Sequence, residues 1–485
     1  MNAPLLDLSY TRLPQNLYSA VYPQQVTNPK RLLLNRQLAG LLGMDHTWLE
    51  SEAALQLFCG QTGDDRPAIA MAYSGHQFGH LSPLLGDGRA ALVGEIVSPS
   101  GVRYDLHLKG SGPTPYSRRG DGLSTLRAAL KEYVFSESFA ALGIPCSRSL
   151  AVVTTGMQVM REQAHPGAIL TRAARCHVRV GTFQFAALQQ DTGMLRSLAD
   201  FVIHREFPEL DDDGEAPYLR LFEKIVERQA VLVATWMASG FIHGVMNTDN
   251  MALSGETIDF GPCAFMDYFN PGRVFSSIDE YGRYAWNRQA DIAVWNLSRL
   301  AEAMLPLLAA DTKTAVAMAE KALEKFPDLF NAKFNKLLAE KLGLVNPDRG
   351  LLKSLLAVLA QTSVDYTLFF RRLAQVAEGE NQDVVLTLSE EKEPLVRWLN
   401  EWEQALPRHT DRQQLAEQMN RVNPLYIPRI WLLEQALSAA NNGNMQPFET
   451  MLRAVQNPFF EADEFKGLGQ PPSRGQSTLA TFCET

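Results

Sequence analysis

One ordering of segments limits the folds open to this chain. An alternating strand ends in Lys109 ("VRYDLHLKG"), a loop of Gly, Ser, Pro and Arg follows ("GSGPTPYSRRGDG"), and a helical segment then carries Glu132 ("LSTLRAALKEYVFSESFAALG"). Farther on, a long apolar-periodic run, "PYLRLFEKIVERQAVLVATWMASG", leads directly into "HGVMNTDNMALSGETIDFGP". Strands come first and helices after, the pattern of an α+β protein rather than of alternating βα units. With 485 residues the chain also exceeds the roughly 250–300 residues that one hydrophobic core sustains. Two or three packed units are expected.

Around that ordering, "AALVGEIVS" pairs with the Lys109 strand through a turn at "PSG". "SLAVVTTGMQVMRE" reads as a hairpin turning at Gly156, "GAILTRA" as a further strand, and helix begins near Thr182. From about Ile292 to Ala454 the pattern is helical, broken at "NPDRG", "VNPLYIP" and "NNGN". The expected division is a strand-rich lobe over 1–165, a helical lobe over 166–300, and a helical extension with an extended tail over 301–485.

Composition excludes several classes. Apolar residues make up 46% and charged residues 20%, an ordinary folded balance. A net charge of −9 argues against nucleic acid as a partner, which calls for a basic surplus. The start, "MNAPLLDLSYTRLPQ", has no basic segment followed by an apolar run, so no secretory signal is expected. No apolar stretch is long enough for a membrane span, which leaves the cytoplasm as the expected compartment. Cys59, Cys146, Cys176, Cys263 and Cys483 are scattered, odd in number and without a C-x-x-C pair, unlike a disulfide scaffold or a zinc ribbon.

The chemistry concentrates in a few places. Strand with Lys, helix with Glu, hairpin, long helix, loop with Asn and then DFG is the part order of a protein kinase, where the Lys–Glu pair places lysine on nucleotide phosphates. Here Lys109 and Glu132 are the pair. Asn250 stands seven residues after His243, the H-x-D-x-x-x-x-N spacing, and a strand pair around "MALSGETIDF" would bring Asp259 beside it. Their oxygens suit Mg2+ or Mn2+. The acidic residue of that loop is missing, because position 245 is valine. Asp249 is the loop's own carboxylate and the candidate base in its stead.

Gly86 and Gly88, with Arg89 after them, precede a strand in "GDGRAALVG", and glycine lets backbone approach phosphate closely. Asp121 and Gly122 belong to a second such loop, "RRGDG". A buried triphosphate needs more than one lysine and one divalent ion, since a unit charge pair at 4 Å is worth about 4 kcal/mol at an effective dielectric near 20. Arg89, Arg118, Arg119, Arg172 and Arg179 are the available cations. His76 and His80 in "YSGHQFGH" are four apart, but Gly75 and Gly79 speak against a metal-binding helix and for a turn.

With "YSGHQFGHLSPLLGDGRA", "LHLKGSGPTPYSRRGDG" and "HGVMNTDNMALSGETIDFGPCAFMD", the chain resembles the selenoprotein O family in its bacterial form, over nearly its whole length. The resemblance implies a two-lobe, protein-kinase-like fold that binds ATP in reversed orientation and transfers AMP, or in some members UMP from UTP, to hydroxyl side chains of proteins. It implies nucleotide contacts from Gly86, Gly88, Arg89, Lys109, Asp121, Gly122, Arg172, Arg179 and Asp259. Glu132 would pair with Lys109, Asp249 would accept the proton, and Asn250 and Asp259 would hold the metal. The family often carries selenocysteine or cysteine near its C-terminus, and here Cys483 stands in "TFCET". Cys263, just after DFG, and Cys483 are accordingly expected to form a redox pair. Two other readings stay open at this point: an ordinary kinase, disfavoured by Val245, and a non-catalytic nucleotide-binding scaffold.

Overall fold

The segment pairing begins with the hairpin that alternation predicts, and a sheet grows outward from it. In the computed structural model, which describes residues 3–61, 67–210, 216–345, 348–406 and 411–474, the first strands are β1 (Tyr18–Val21), β2 (Lys30–Leu34) and β3 (Ala68–Met71). A separate small hairpin follows, β4 (Gly75–Gln77) and β5 (His80–Ser82). Then come β6 (Ala90–Val97), β7 (Arg103–Lys109), β8 (Ser124–Thr125), β9 (Arg148–Met160) and β10 (Ala164–Ala174). The main sheet has the order β1-β3-β6-β7-β10-β9-β2, with β8 alongside β10. Its pairings are antiparallel. The whole is an α+β protein with an antiparallel sheet and many helices. Strand β10 completes the sheet at Ala174, so the boundary expected between 165 and 166 falls inside a sheet strand.

Both faces of the sheet are covered. Between β2 and β3 run the short helices α1 (Arg36–Leu41), α2 (His46–Leu49) and α3 (Glu52–Phe58). Their Trp48, Leu49 and Phe58 pack with Leu106, Leu108, Ile169 and Ala173 of the sheet. On the other face lies α4 (Leu126–Ala141), capped by the Thr125 hydroxyl, which accepts from the Ala128 N–H. Because strand side chains alternate, Asp105, His107 and Lys109 point away from the Leu106 and Leu108 layer. All three are buried. An alternation that usually marks a solvated face here builds a polar interior.

Two local expectations are corrected. β9 continues from Arg148 to Met160 through Gly156, whose φ is +72° and which sits where the β9–β10 register shifts between Thr154 and Gln158, a bulge rather than a turn. A Cβ there would lie 2.7 Å from the Asn28 side chain, so this glycine serves a close approach; the chain reverses later, at 161–163. "MALSGETIDF" also does not pair with itself. Ala252 bridges to Arg179 and Thr257 to Cys146, which binds the segment to the sheet's end and to the exit of α4 instead.

After the sheet come α5 (Val180–Leu188), α6 (Thr192–Glu206), α7 (Pro217–Ala238) and α8 (Gln289–Leu308), then nine more helices between Thr312 and Gln456 among the described residues. Pro217 starts α7 at a position where its missing N–H costs nothing. The chain then enters strand Phe241–Ile242, which pairs with Ala264–Phe265. The loop with Asp249 and the DFG segment are thereby clamped between two paired strands. An aromatic cluster seals the contact with α4: Phe139 lies 4.6 Å from Phe241 and 5.1 Å from Phe260, centroid to centroid. None of the described helices is long and apolar enough to cross a membrane.

The later helices are tied to the DFG region through Arg429. Fully buried, it bonds Asp267 at 2.5 Å, Asp365 at 2.8 and 3.1 Å, and the Gly469 carbonyl at 3.1 Å. Arg429→Ala would leave two buried carboxylates without their cation, a loss of about 3–5 kcal/mol. We expect a lower unfolding midpoint in urea, and an unchanged midpoint would show that this tie is not stabilising.

Candidate active site

The floor of the site is a knot of opposite charges around Asp259. This residue adopts a left-handed backbone, φ +57°, unusual without a glycine. Its Oδ1 accepts from Arg172 Nη1 at 2.9 Å and lies 3.7 Å from Lys109 Nζ, while Oδ2 accepts from Arg179 Nη1 at 3.0 Å. Burial alone would raise its pKa, but Arg179, Arg172 and Lys109 pull it well below the usual carboxylate range. Beneath it, Lys109 Nζ donates to Glu132 Oε2 at 2.5 Å, and Arg172 reaches Glu132 Oε1 at 3.3 Å. The Glu132 carboxyl is likewise lowered, against its burial, by Lys109 and Arg172. Glu137, farther along α4, pairs with Arg148 and takes no part in this knot.

Above this floor opens a cavity of about 620 Å³, within the range of small-molecule sites. Its walls include Gly86, Gly88, Arg89, Lys109, Asp121, Gly122, Arg172, Arg179, Asp249, Asn250 and Asp259. These residues, scattered over some 170 positions, thus share one space, with Glu132 under it, whereas Arg119 is not among its lining residues. Arg118 also lines it. Cys263 is buried, and its expected partner Cys483 lies outside the described residues.

Close contacts require glycine at two positions. A Cβ on Gly86, whose φ is +72°, would sit 2.3 Å from the Tyr116 ring, and one on Gly122, φ +69°, would sit 2.1 Å from the Gly112 carbonyl oxygen. The two glycine loops are therefore packed against their own neighbourhood as well as facing the cavity. Asp121 sits at the rim, accepting from Leu123 N–H and paired with Arg161 at 2.7 Å.

The Asp249 loop is fixed from all sides. His243 Nε2 donates to the Ile258 carbonyl at 2.9 Å, which joins the loop to the residue before Asp259. Arg179 Nη1 donates to the Asp249 carbonyl at 2.7 Å, so one guanidinium holds both the loop backbone and Asp259. Val245 contributes its carbonyl, which accepts from Asn250 Nδ2 at 3.1 Å and so orients the Asn250 amide. Asp249 is almost entirely buried and its Oδ1 has no hydrogen-bond partner. Burial pushes its carboxyl up to about 6, with Arg179 opposing and Asp259 reinforcing the rise.

These donors fit a divalent cation of the hard type. Among the described residues no cluster of three or more His, Cys, Asp or Glu is gathered for a metal. The oxygens of Asn250 and Asp259 therefore make a partial set, of the kind that Mg2+ completes with phosphates and water. His76 and His80 belong to no such set. His76 Nδ1 bonds Gln184 at 2.8 Å, and its ring packs against Trp295.

The "YSGHQFGH" hairpin has another role. His76 N–H donates to Thr248 Oγ1 at 2.7 Å and Phe78 N–H to Asn247 Oδ1 at 3.1 Å, so β4 buttresses the Asp249 loop. A Cβ on Gly75 would lie 2.2 Å from Asp249 Oδ1. The turn expected in this stretch is that of the β4–β5 hairpin; sequence reasoning missed its hold on the Asp249 loop, and Asn247, Asp87 and His107. The one available signal was that Asp105 and His107 share strand parity with Lys109.

A family model described as Protein adenylyltransferase SelO matches residues 5–456. The chain belongs to the SelO family. Its relatives include the protein nucleotidyltransferase YdiU of Bradyrhizobium diazoefficiens, 47% identical over 98% of both chains. That of Rhodopseudomonas palustris strain BisB5 is 48% identical over 99% of both, and that of Rhizobium meliloti 46% identical over the full length of both. The family's name is that of an enzyme, a nucleotide-transferring one.

The raised Asp249 carboxyl generates a stability prediction specific to this SelO-family site. In the unfolded chain the group ionises near 3.9, in the folded chain near 6. Between those values the folded state holds the extra proton, so stability falls as pH rises and the deficit persists above 6. Asp249→Asn should therefore raise the thermal midpoint at pH 7.5, by the equivalent of about 3 kcal/mol for roughly two pKa units. The gain should vanish near pH 4. An equal effect at both pH values would contradict a strained, buried carboxylate.

Proposed function

We propose that this chain transfers AMP from ATP to hydroxyl side chains of proteins, releasing pyrophosphate, with UMP transfer from UTP as a second donor to be tested. The observation that carries the reading is the position of the cations relative to Asp249. Lys109, Arg172 and Arg179 gather at the floor of the cavity, while Asp249 stands in its wall with a partnerless oxygen. Terminal phosphates held at the floor leave the α-phosphate as the reachable electrophile.

In that arrangement the acceptor oxygen attacks the α-phosphorus in line, the bond to the β-bridging oxygen breaks, and the hydroxyl proton passes to Asp249. Negative charge accumulating on pyrophosphate is met by Lys109, Arg172 and Arg179, cations already in place and therefore needing little reorganisation. Glu132 keeps Lys109 extended towards the phosphates. Asn250 and Asp259 would hold Mg2+ or Mn2+, which supplies further neutralisation of phosphate charge when bound. Gly86, Gly88, Arg89, Asp121 and Gly122 would enclose the rest of the nucleotide.

The same reading includes a two-lobe, kinase-like arrangement, the sheet with α4 above and the α5–α8 helices below, extended by the later helices. The Cys263–Cys483 pair belongs to it as a restraint on the segment after DFG. Unchanged non-reducing mobility and activity after mild oxidation, in wild type and Cys483→Ser alike, would remove that restraint from the account.

Purified protein given ATP labelled at the α-phosphate should label itself or added proteins, and γ-labelled ATP should not. Label arriving only from the γ position would make the chain a kinase. Binding of ATP with no transfer from either position would make it a scaffold. Asp249→Ala should lower transfer by at least a hundredfold, the range for loss of a general base, while retaining ATP binding.

A further inference from the structure

We infer that His107, anchored by Asp87, is the positioning residue that aims the Arg172 guanidinium into the cavity. The inference rests on the proposed binding of terminal phosphates by Arg172. His107 and Arg172 are register partners across β7 and β10, so their side chains leave the sheet on the same face. Both are buried.

The hydrogen bonds assign the imidazole its tautomer. Arg172 Nη2 lies 3.0 Å from His107 Nδ1, and since a guanidinium only donates, Nδ1 carries the lone pair. The proton then sits on Nε2, which donates to Asp87 Oδ2 at 3.1 Å. Asp87 is itself fixed, because the same oxygen accepts from Met71 N–H at 3.0 Å and its backbone carbonyl accepts from Thr114 Oγ1 at 2.6 Å. Burial holds the His107 pKa down at about 4, consistent with a neutral ring. The middle residue of "GDG" thus reaches Arg172 through one histidine.

Why Arg172 needs aiming follows from its other end. Its Nη1 is shared between Asp259 at 2.9 Å and Glu132 at 3.3 Å. A guanidinium is planar, so a bond at Nη2 sets the plane of the whole group. With His107 present, that plane is set towards Asp259 and the cavity. Without it, Nη1 and Nη2 are both available to Glu132 as a bidentate pair, which turns the cation down and away from phosphate and competes with Lys109 for its own partner.

The test uses the full-length protein, Mg2+ and ATP, and measures KM, kcat and the thermal midpoint. The variants are His107→Leu, His107→Asn, His107→Gln, Arg172→Met and the double variant His107→Leu with Arg172→Met. His107→Leu should raise the KM for ATP roughly tenfold, the scale of one lost hydrogen bond to a charged group, with kcat within about twofold. His107→Asn, whose Oδ1 falls near the place of Nδ1, should recover most of the loss. His107→Gln, which reaches the place of Nε2, should not. The double variant should be little worse than Arg172→Met alone, as expected for two residues acting as a unit.

An unchanged KM in His107→Leu, alongside a raised KM in Arg172→Met, would overturn the inference and leave the proposed function standing. Equal losses in the Asn and Gln variants that follow only the thermal midpoint would also overturn it, as a packing effect. An Arg172→Met protein that binds ATP like wild type would overturn the phosphate role of Arg172 itself, and the inference with it.

Discussion

A single carboxylate held by three cations is the constraint on which the rest of this molecule depends. Asp259 takes a left-handed backbone to meet Arg172, Arg179 and Lys109, and each of those cations arrives on a different element. Lys109 ends β7, Arg172 lies in β10, and Arg179 precedes α5. The sheet, α4 and the clamped loop must all be in register for the knot to close. The Phe135, Phe139, Phe241 and Phe260 cluster supplies the apolar half of that register, and Glu132 and Asp87 supply its counter-charges. Carboxylates and cations nearly balance here, so under the proposed function an entering polyphosphate would exchange one set of anionic partners for another rather than fill an uncompensated basic hole.

The absence of an acid at position 245 then has a structural reading. Val245 is buried beside the cavity and works through its carbonyl, orienting Asn250. Among the carboxylates lining the cavity, the one in the loop itself is Asp249, raised by burial and buttressed by the β4–β5 hairpin. A group held in that state costs stability and stands ready to take a proton, the combination expected where function opposes folding. Membership in a nucleotide-transferring family agrees with cations gathered below and a buried, proton-retaining carboxylate at the side.

Much of this was legible from residues alone. The strand order around Lys109, the helix with Glu132, and the spacing of Asn250 and Asp259 are short-range patterns, and strand alternation and helical periodicity report such patterns well. The elements that escaped depend on distant partners. Gly156 looked like a turn because glycine at positive φ usually makes one, yet Asn28 is what requires it. The "MALSGETIDF" segment alternates like a hairpin, but its backbone finds Arg179 and Cys146 first. His107 and Asp105 carry no signal of burial, since nothing in "YDLHLK" tells that α4 and two arginines will close over them.

The central claim is the orientation of the nucleotide, and a crystal structure of the full-length protein with Mn2+ and an ATP analogue whose α,β-bridging oxygen is replaced tests it most directly. The account predicts the β- and γ-phosphates against Lys109, Arg172 and Arg179, with the α-phosphorus turned towards Asp249 and the base directed to the cavity mouth. Adenine seated over the Lys109–Glu132 pair, with the γ-phosphate outermost beside Asp249, would contradict it.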